Sequence, residues 1–394
     1  MSRKTEWKES KINLGGAIIA CAVTLIIGFF IGKNWNNYSV YLGGSSKKET
    51  AADWSALNEV YSSLTKNYDG EIDKSAIIEG AKKGLVDSIG DVYTVYMDKE
   101  ESEEFEKSLH GDVGAGVGIE MGLRDGYVRV IRTLPDNPAR EAGVLAGDII
   151  YKVNDEEVYM LSTDEVATKV RGEAGSSVKL TVVRDSEEIS FDLVREVINN
   201  VSAYVDYRDE SAIITVTRFD SDTGTLVQSF ADEILNSGAK KIILDLRSNG
   251  GGYVSAARDL LSLWIDGEKV LIQKSQNSAD EITYAYSGRA KFGNTKTVVL
   301  VNNNTASASE IVTGALKDYN KATIIGETTF GKGVVQSLLN LSNGTTLKVT
   351  TAHWYTPKEN SINKIGIEPD VEVINTYDDT NLSRDPQLDA ALAY

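Results

Sequence analysis

Two short segments carry the residue types from which a hydrolase could be built. Thr305-Ala306-Ser307-Ala308-Ser309-Glu310 offers serine hydroxyls, and Phe330-Gly331-Lys332-Gly333-Val334-Val335-Gln336 sets a lysine between two glycines ahead of an apolar run. A serine attacks a carbonyl readily only when a base takes its proton. Histidine is the commonest such base, and the chain contains 2, His110 and His353. Lysine serves the same purpose in Ser-Lys variants, provided burial lowers its pKa from about 10.4 toward 7–8 so that it is neutral. Gly331 and Gly333 permit the close packing that such burial needs. If a strand starts here, alternation puts Lys332, Val334 and Gln336 on one face, where the Gln336 amide could orient the amine. Alone, this lysine reads as part of a solvent-facing turn; beside Ser307 it reads as a base. Ser309 is the local rival of Ser307 as nucleophile, and the sequence leaves that choice open.

The elements around these residues suit the chemistry. Lys241–Arg247 reads as a buried strand, Ser248-Asn249-Gly250-Gly251-Gly252 as a loop, and Val254, Ala257, Leu260, Leu261 and Trp264 as one face of a helix. The unit repeats: Thr297–Val301 is a strand, Asn302–Ala306 a polar turn, and Ile311, Val312, Ala315, Leu316 and Tyr319 line a helix. Open α/β sheets hold their sites at the carboxyl ends of such strands. Ser307 then lies at a helix N-terminus, where unpaired backbone N–H groups and the helix dipole favour a developing oxyanion. Gly251 and Gly252 add amides that a substrate carbonyl can approach without a side chain intervening.

Composition narrows the alternatives. The net charge of -17 argues against nucleic acid as a partner, and the single cysteine, Cys21, excludes an intramolecular disulfide framework and a cysteine-rich metal site. Residues 14–32 carry no charge and come close to the roughly 20 apolar residues of a membrane-spanning helix. Arg3, Lys4, Lys8 and Lys11 precede them, so the expectation is a cytoplasmic tail (1–13), a retained anchor (14–32), a polar linker (33–52) and everything beyond outside the cell membrane. Ile18-Ile19-Ala20-Cys21 has the look of a lipidation box, but the apolar run continues past Cys21, which favours an inert helix residue. Residues 53–110 read as a helical region, with the acidic stretch Lys99–Glu106 as a solvated face. His110 and His353 read as structural.

From Gly111 the texture changes to short strands with glycine turns. Tyr127–Ile131 alternates like a strand, and Asn137-Pro138-Ala139-Arg140-Glu141-Ala142-Gly143 has a capping residue, a proline at the first helical position and a glycine after the last. A strand around Gly147–Asn154, a helix at Thr163–Val170 and a strand from Val178 to Arg184 follow. With Pro138-Ala139-Arg140-Glu141-Ala142-Gly143-Val144-Leu145-Ala146-Gly147-Asp148-Ile149-Ile150 and Val153-Asn154, residues 112–197 resemble a PDZ domain. That resemblance implies that Gly116, Val117, Gly118 and Ile119 present backbone amides to the carboxylate of a peptide C-terminus.

The chain as a whole resembles the C-terminal processing peptidases, Ser-Lys proteases with an inserted PDZ domain. The resemblance rests on Tyr68-Asp69, Gly80-Ala81, Asp91-Val92-Tyr93-Thr94, Leu244–Gly252, Thr305–Ile311, Gly326–Gln336, Tyr355-Thr356-Pro357 and Gly366-Ile367-Glu368-Pro369-Asp370. It implies an α+β multidomain chain whose protease core, residues 198–394, is of the α/β ClpP/crotonase-like kind. It further implies Ser307 as nucleophile, Lys332 as general base, Gln336 as its orienting partner, and an oxyanion hole of the Ala308 amide with Gly251 or Gly252. Protein or peptide substrates with free C-termini follow, and no metal or cofactor is required. Gly250 stands where many members carry proline, Lys358-Glu359-Asn360 replaces the usual Ser-Gly-Arg, and the part played by Glu310 stays open. A homodimer is compatible with the pattern. The rival readings are a non-enzymatic PDZ adaptor and a hydrolase of small esters.

Overall fold

The structure, a computed structural model, describes residues 53–124, 126–276, 278–375 and 384–394. The expected anchor over 14–32, the tail before it, the linker after it and Cys21 lie outside the described residues. Among the described residues no helix is long and apolar enough to cross a membrane.

The chain divides into two units at Lys74. The described part of the first is built on helix α1 (Ser55–Asn67), none of whose residues is buried; Leu57, Val60 and Leu64 are exposed. The second begins with α2 (Lys74–Asp87), strand β1 (Val95–Met97) and α3 (Lys99–His110). The helical stretch expected over 53–110 is therefore interrupted. Val95, Tyr96 and Met97 pair antiparallel with Lys348, Leu347 and Thr346, a tertiary partner that overrides the local helical pattern. Asp98 restarts the helix through a capping box: its carboxylate accepts from Glu101 N at 3.0 Å, and Glu101 accepts from Asp98 N at 2.9 Å.

The next block enters through β2 (Ala115–Gly116) and builds a six-stranded sheet from β3 (Ile119–Arg124), β4 (Tyr127–Thr133), β5 (Ile149–Val153), β6 (Glu156–Glu157), β7 (Ser177–Arg184) and β8 (Glu187–Val194). Helices α4 (Pro138–Glu141) and α5 (Thr163–Val170) accompany it, and Val128, Val130, Ala139, Ile150, Val166, Leu180 and Val182 form its own core. The block leaves through β9 (Glu196–Val197), which pairs with β2 to make a two-stranded neck. Proline opens α4 as the sequence suggests, but the Asn137 side chain does not cap it. Asn137 Nδ2 instead donates to Pro135 O at 2.6 Å and Asn199 O at 2.9 Å, and its Oδ1 accepts from Asn199 N at 3.2 Å. The backbone groups of Pro135 and Asn199 would otherwise be left unpaired in a part-buried place, and they win the amide.

The remaining chain forms β10 (Ala203–Arg208), β11 (Ser211–Val216), α6 (Thr223–Asn236), β12 (Lys241–Asp245), α7 (Val254–Leu261), β13 (Lys269–Lys274), β14 (Glu281–Tyr284), β15 (Lys296–Val301), α8 (Ala308–Asp318), β16 (Thr323–Gly326), β17 (Val334–Asn340), β18 (Thr346–Tyr355), β19 (Val371–Glu372) and α9 (Pro386–Ala393). One sheet runs β10-β11-β12-β15-β16-β19 and is parallel from β11 onward. Alternation divides its side chains between two layers. Ile242, Leu244, Val299 and Val301 pack with α6, α7 and α8, whereas Ile243, Val298 and Leu300 pack with α9. Trp264 lies beyond the end of α7 rather than on it; it is buried, donates from Nε1 to Thr297 Oγ1 at 2.8 Å, and meets the Phe292 ring at 5.1 Å. A second sheet, β1-β18-β13-β14 with β17 on β18, carries the lysine segment at the start of β17.

Candidate functional site

Ser307 ends the loop that follows β15 and is the N-cap residue of α8, with φ 57° and ψ -117°. A serine in that region is strained and persists only where its surroundings over-determine it. They do so here. Thr305 Oγ1 donates to Leu246 O at 2.9 Å, Ala306 N donates to Asn249 O at 3.0 Å, and Asn302 Oδ1 accepts from Ser248 N at 2.8 Å. The loops after β12 and β15 are thus laced together. Ser309, the rival nucleophile, is fully buried and donates its hydroxyl to Asn249 O at 3.0 Å, whereas Ser307 is only half-buried. Asn249, which nothing in the local pattern singles out beyond its place in the glycine loop, is the hub of this lacing; its Nδ2 also donates to Val216 O at 2.8 Å.

Gly251 and Gly252 have φ of 99° and 142°. A Cβ on Gly251 would lie 2.7 Å from Ser307 Cβ and 2.9 Å from Ala308 N, so only glycine lets this backbone lie beside the serine. The two amides differ in availability. Gly251 N donates to Asn249 Oδ1 at 2.9 Å, while the bridge between Phe219 and Gly252 uses Phe219 N, Gly251 O, Tyr253 N and Phe219 O and leaves Gly252 N out. Ala308 N, at the first turn of α8, likewise has no intrahelical acceptor. Among the described residues, neither the Ala308 nor the Gly252 amide donates to a hydrogen bond.

The lysine segment is fixed to the serine by one carboxylate. Glu310 is fully buried. One oxygen accepts from Ser307 N at 2.8 Å and Lys332 N at 2.9 Å; the other accepts from Gly331 N at 2.7 Å and Thr329 Oγ1 at 2.6 Å. Gly331, at φ 88°, and Gly333 lie against residues 363–366, where a Cβ would meet Ile365 N at 2.9 Å or Asn363 Cβ at 2.5 Å. Trp354 Nε1 donates to Lys332 O at 2.9 Å. Burial pushes the Lys332 amine below the usual lysine pKa, the Lys348 charge pushes the same way, and Glu310 opposes both.

Two details differ from the alternation read in the sequence. The strand begins at Val334 rather than at Lys332, and its pairing with β18 shifts register between Val335 and Gln336. That irregularity breaks the alternation that was to bring the Gln336 amide to the amine. Gln336 Nε2 is buried with no hydrogen-bond partner among the described residues. No hydrogen bond among the described residues joins Lys332 Nζ to Ser307 Oγ or to Gln336; the amine lies 5.2 Å from the centre of the Tyr93 ring. His110 and His353 are exposed.

In the inserted block, Gly116 closes β2, Val117 is buried, Gly118 has φ 76°, and Ile119 opens β3. The carbonyls of Val117 and Gly118 accept from Ala139 N and Leu134 N, both at 2.9 Å, while their amides donate to no hydrogen bond among the described residues. A Cβ on Gly118 would lie 2.3 Å from Asn137 Cβ.

Residues 210–373 match the peptidase family S41, residues 130–184 a PDZ domain, and residues 23–101 the activating protease CtpB N-terminal domain. The chain is 33% identical over 368 residues to a probable CtpA-like serine protease of Staphylococcus aureus (strain MSSA476), covering 93% of this chain and 72% of that protein. A probable CtpA-like serine protease of Staphylococcus epidermidis is also 33% identical, covering 93% and 73%. The solved photosystem II D1 C-terminal processing protease shares 28% identity at a TM-score of 0.55, over 84% of this chain and 89% of that one. A putative S41 protease from Bacteroides fragilis, 16% identical at a TM-score of 0.55, shares the fold.

Glutamine at position 310 would keep the volume and turn one acceptor oxygen into an amide facing two donors. Glu310→Gln should lower unfolding stability by about 2–4 kcal/mol. Chemical denaturation with an unchanged midpoint would show that the carboxylate is not what ties the two segments together.

Proposed function

The chain belongs to peptidase family S41, the C-terminal processing serine proteases, and on that premise we propose that it is an endopeptidase working through a Ser307–Lys332 dyad on disordered tails. The observation that carries this reading is the Glu310 carboxylate, which bonds the backbones of Ser307 and Lys332 at 2.8 and 2.9 Å. Membership in a peptidase family sets aside the non-enzymatic adaptor and the small-ester hydrolase.

Ser307 Oγ attacks the scissile carbonyl carbon while Lys332 Nζ takes its proton. The Ala308 and Gly252 amides receive the oxyanion, and the ammonium returns the proton to the leaving amine. Water, deprotonated by the same lysine, then hydrolyses the acyl-enzyme. Proton transfer needs the amine within about 2.6–3.2 Å of the hydroxyl, so a turn of the lysine side chain away from Tyr93 belongs to the cycle. Gln336 orients the amine once it has turned.

The block at 112–197 selects the substrate. The unspent amides of Val117 and Gly118, within the loop Gly116 to Ile119, support capture of a C-terminal carboxylate, with the peptide added as a strand beside β3. The apolar run 14–32 anchors the protease, with the core at 198–394 on the extracytoplasmic side.

Ser307→Ala and Lys332→Ala should each reduce cleavage of unfolded casein by at least about 1000-fold with the fold intact. Because the base must be neutral and its pKa is lowered, wild-type kcat/KM should rise as pH climbs through a value below the ordinary lysine range, and fall away on acidification. A flat profile from about pH 6 to 9 would remove lysine as the base. Peptides with an amidated C-terminus should be cleaved more slowly than free-acid peptides; equal rates would sink the carboxylate loop. Deleting residues 1–32 should move the protease from the membrane fraction to the supernatant, and retention on the membrane would refute the anchor.

A further inference from the structure

The aromatic wall of the lysine comes from the other end of the chain, and it is built rather than incidental. Asp91 Oδ1 accepts from Tyr93 N at 3.1 Å and its Oδ2 accepts from Thr94 Oγ1 at 2.7 Å. Thr94 is buried, and its hydroxyl oxygen accepts in turn from Thr350 N of β18 at 3.1 Å. The next three residues, β1, pair with Lys348, Leu347 and Thr346 of the same strand. The Tyr93 turn is therefore fastened to β18, which also carries β17 and its lysine segment. Lys332 Nζ lies 5.2 Å from the ring centre, a distance at which the negative face of an aromatic ring attracts a cation and does little for a neutral amine.

We propose that Tyr93 is a positioning residue for the base: its ring holds the protonated Lys332 amine away from Ser307 and releases it when the proton is lost to solvent. The inference rests on the reading of Lys332 as the base. The other groups around the amine fit it. Lys348 of β18 repels a charged amine and is itself drawn over the Phe105 ring at 5.2 Å. Glu310 of α8 attracts it, but both carboxylate oxygens already serve backbone or hydroxyl donors. Asp91 is spent on its own turn, with His353 of β18 acting on it. Gln336, on the strand that follows the lysine, has a buried Nε2 donor and no acceptor. An ammonium cannot accept that hydrogen bond, whereas a neutral amine has the lone pair for it. Losing the proton thus weakens the hold of the ring and creates a partner for the glutamine.

The test is the pH dependence of kcat/KM for the full chain on a casein-derived peptide. Tyr93→Leu removes the ring and should move the rising limb to lower pH by roughly 0.5–1 unit. Tyr93→Phe keeps the ring face and should leave the limb where the wild type has it. Pentafluorophenylalanine at position 93 keeps the shape with the opposite polarity, and should move the limb as leucine does even where Tyr93→Leu does not fold. A wild-type limb in both the leucine and pentafluoro proteins overturns the proposal, as does a shift in Tyr93→Phe as large as in Tyr93→Leu. A Lys332→Ala protein that still cleaves would instead remove the base itself.

Discussion

Four donors converge on the Glu310 carboxylate, one from the serine turn and three from the lysine turn. On one side is the amide of a serine held at a positive φ; on the other are a threonine hydroxyl and two amides of the turn that carries the lysine. A buried charge of this kind is tolerable because every donor aimed at it is short and well placed. The strain in the serine turn needs such a partner, since a conformation that costs free energy survives only where surrounding bonds leave no alternative. Thr329 extends the tie, because its oxygen also accepts from Ile367 N at 2.7 Å. Three stretches far apart in sequence are set by one side chain.

Around that strut the work is divided between two sheets. The parallel sheet carries Ser307 and the Ala308 and Gly252 amides, at the carboxyl ends of β12 and β15, and its alternating side chains bury helices on each face. The antiparallel sheet carries Lys332. Burial lowers the affinity of that lysine for its proton, Lys348 lowers it further, and Glu310 raises it; the net direction is downward because burial is the largest of the three. The glycines at 331 and 333 make the burial sterically available.

The serine, the glycine loop and the lysine were legible because each sits in a local pattern, a strand followed by a turn and then a helix or another strand. The alternating core positions of β12 and β15 were legible for the same reason. What escaped depends on contacts between distant segments. Asn249 looks like an ordinary turn residue until its carbonyl is seen to receive Ala306 N and Ser309 Oγ. The choice between Gly251 and Gly252 turned on which amide Asn249 had taken. The helical reading of 53–110 failed at β1 because the partner strand begins at Thr346, and the register shift between Val335 and Gln336 carries no signature in those two residues themselves. Tyr93 belonged to a motif, yet nothing local said which lysine it would face.

The two-stranded neck has a bearing on how such a chain is assembled. Ala115 pairs with Val197 and Gly116 with Glu196, and Ile198 N already donates to Gly114 O at 3.1 Å, so the inserted block leaves the rest of the chain almost where it entered. Its hydrophobic core is its own, and β1 on the near side of the neck is hydrogen-bonded to β18 on the far side. The catalytic half is thus one body made from two stretches of sequence, and the module between them is a plug-in. A short hairpin could close the gap between Gly114 and Ile198 without unpairing an edge strand, which makes the inserted module exchangeable, whereas a cut that discards residues 91–97 would expose the edge of β18.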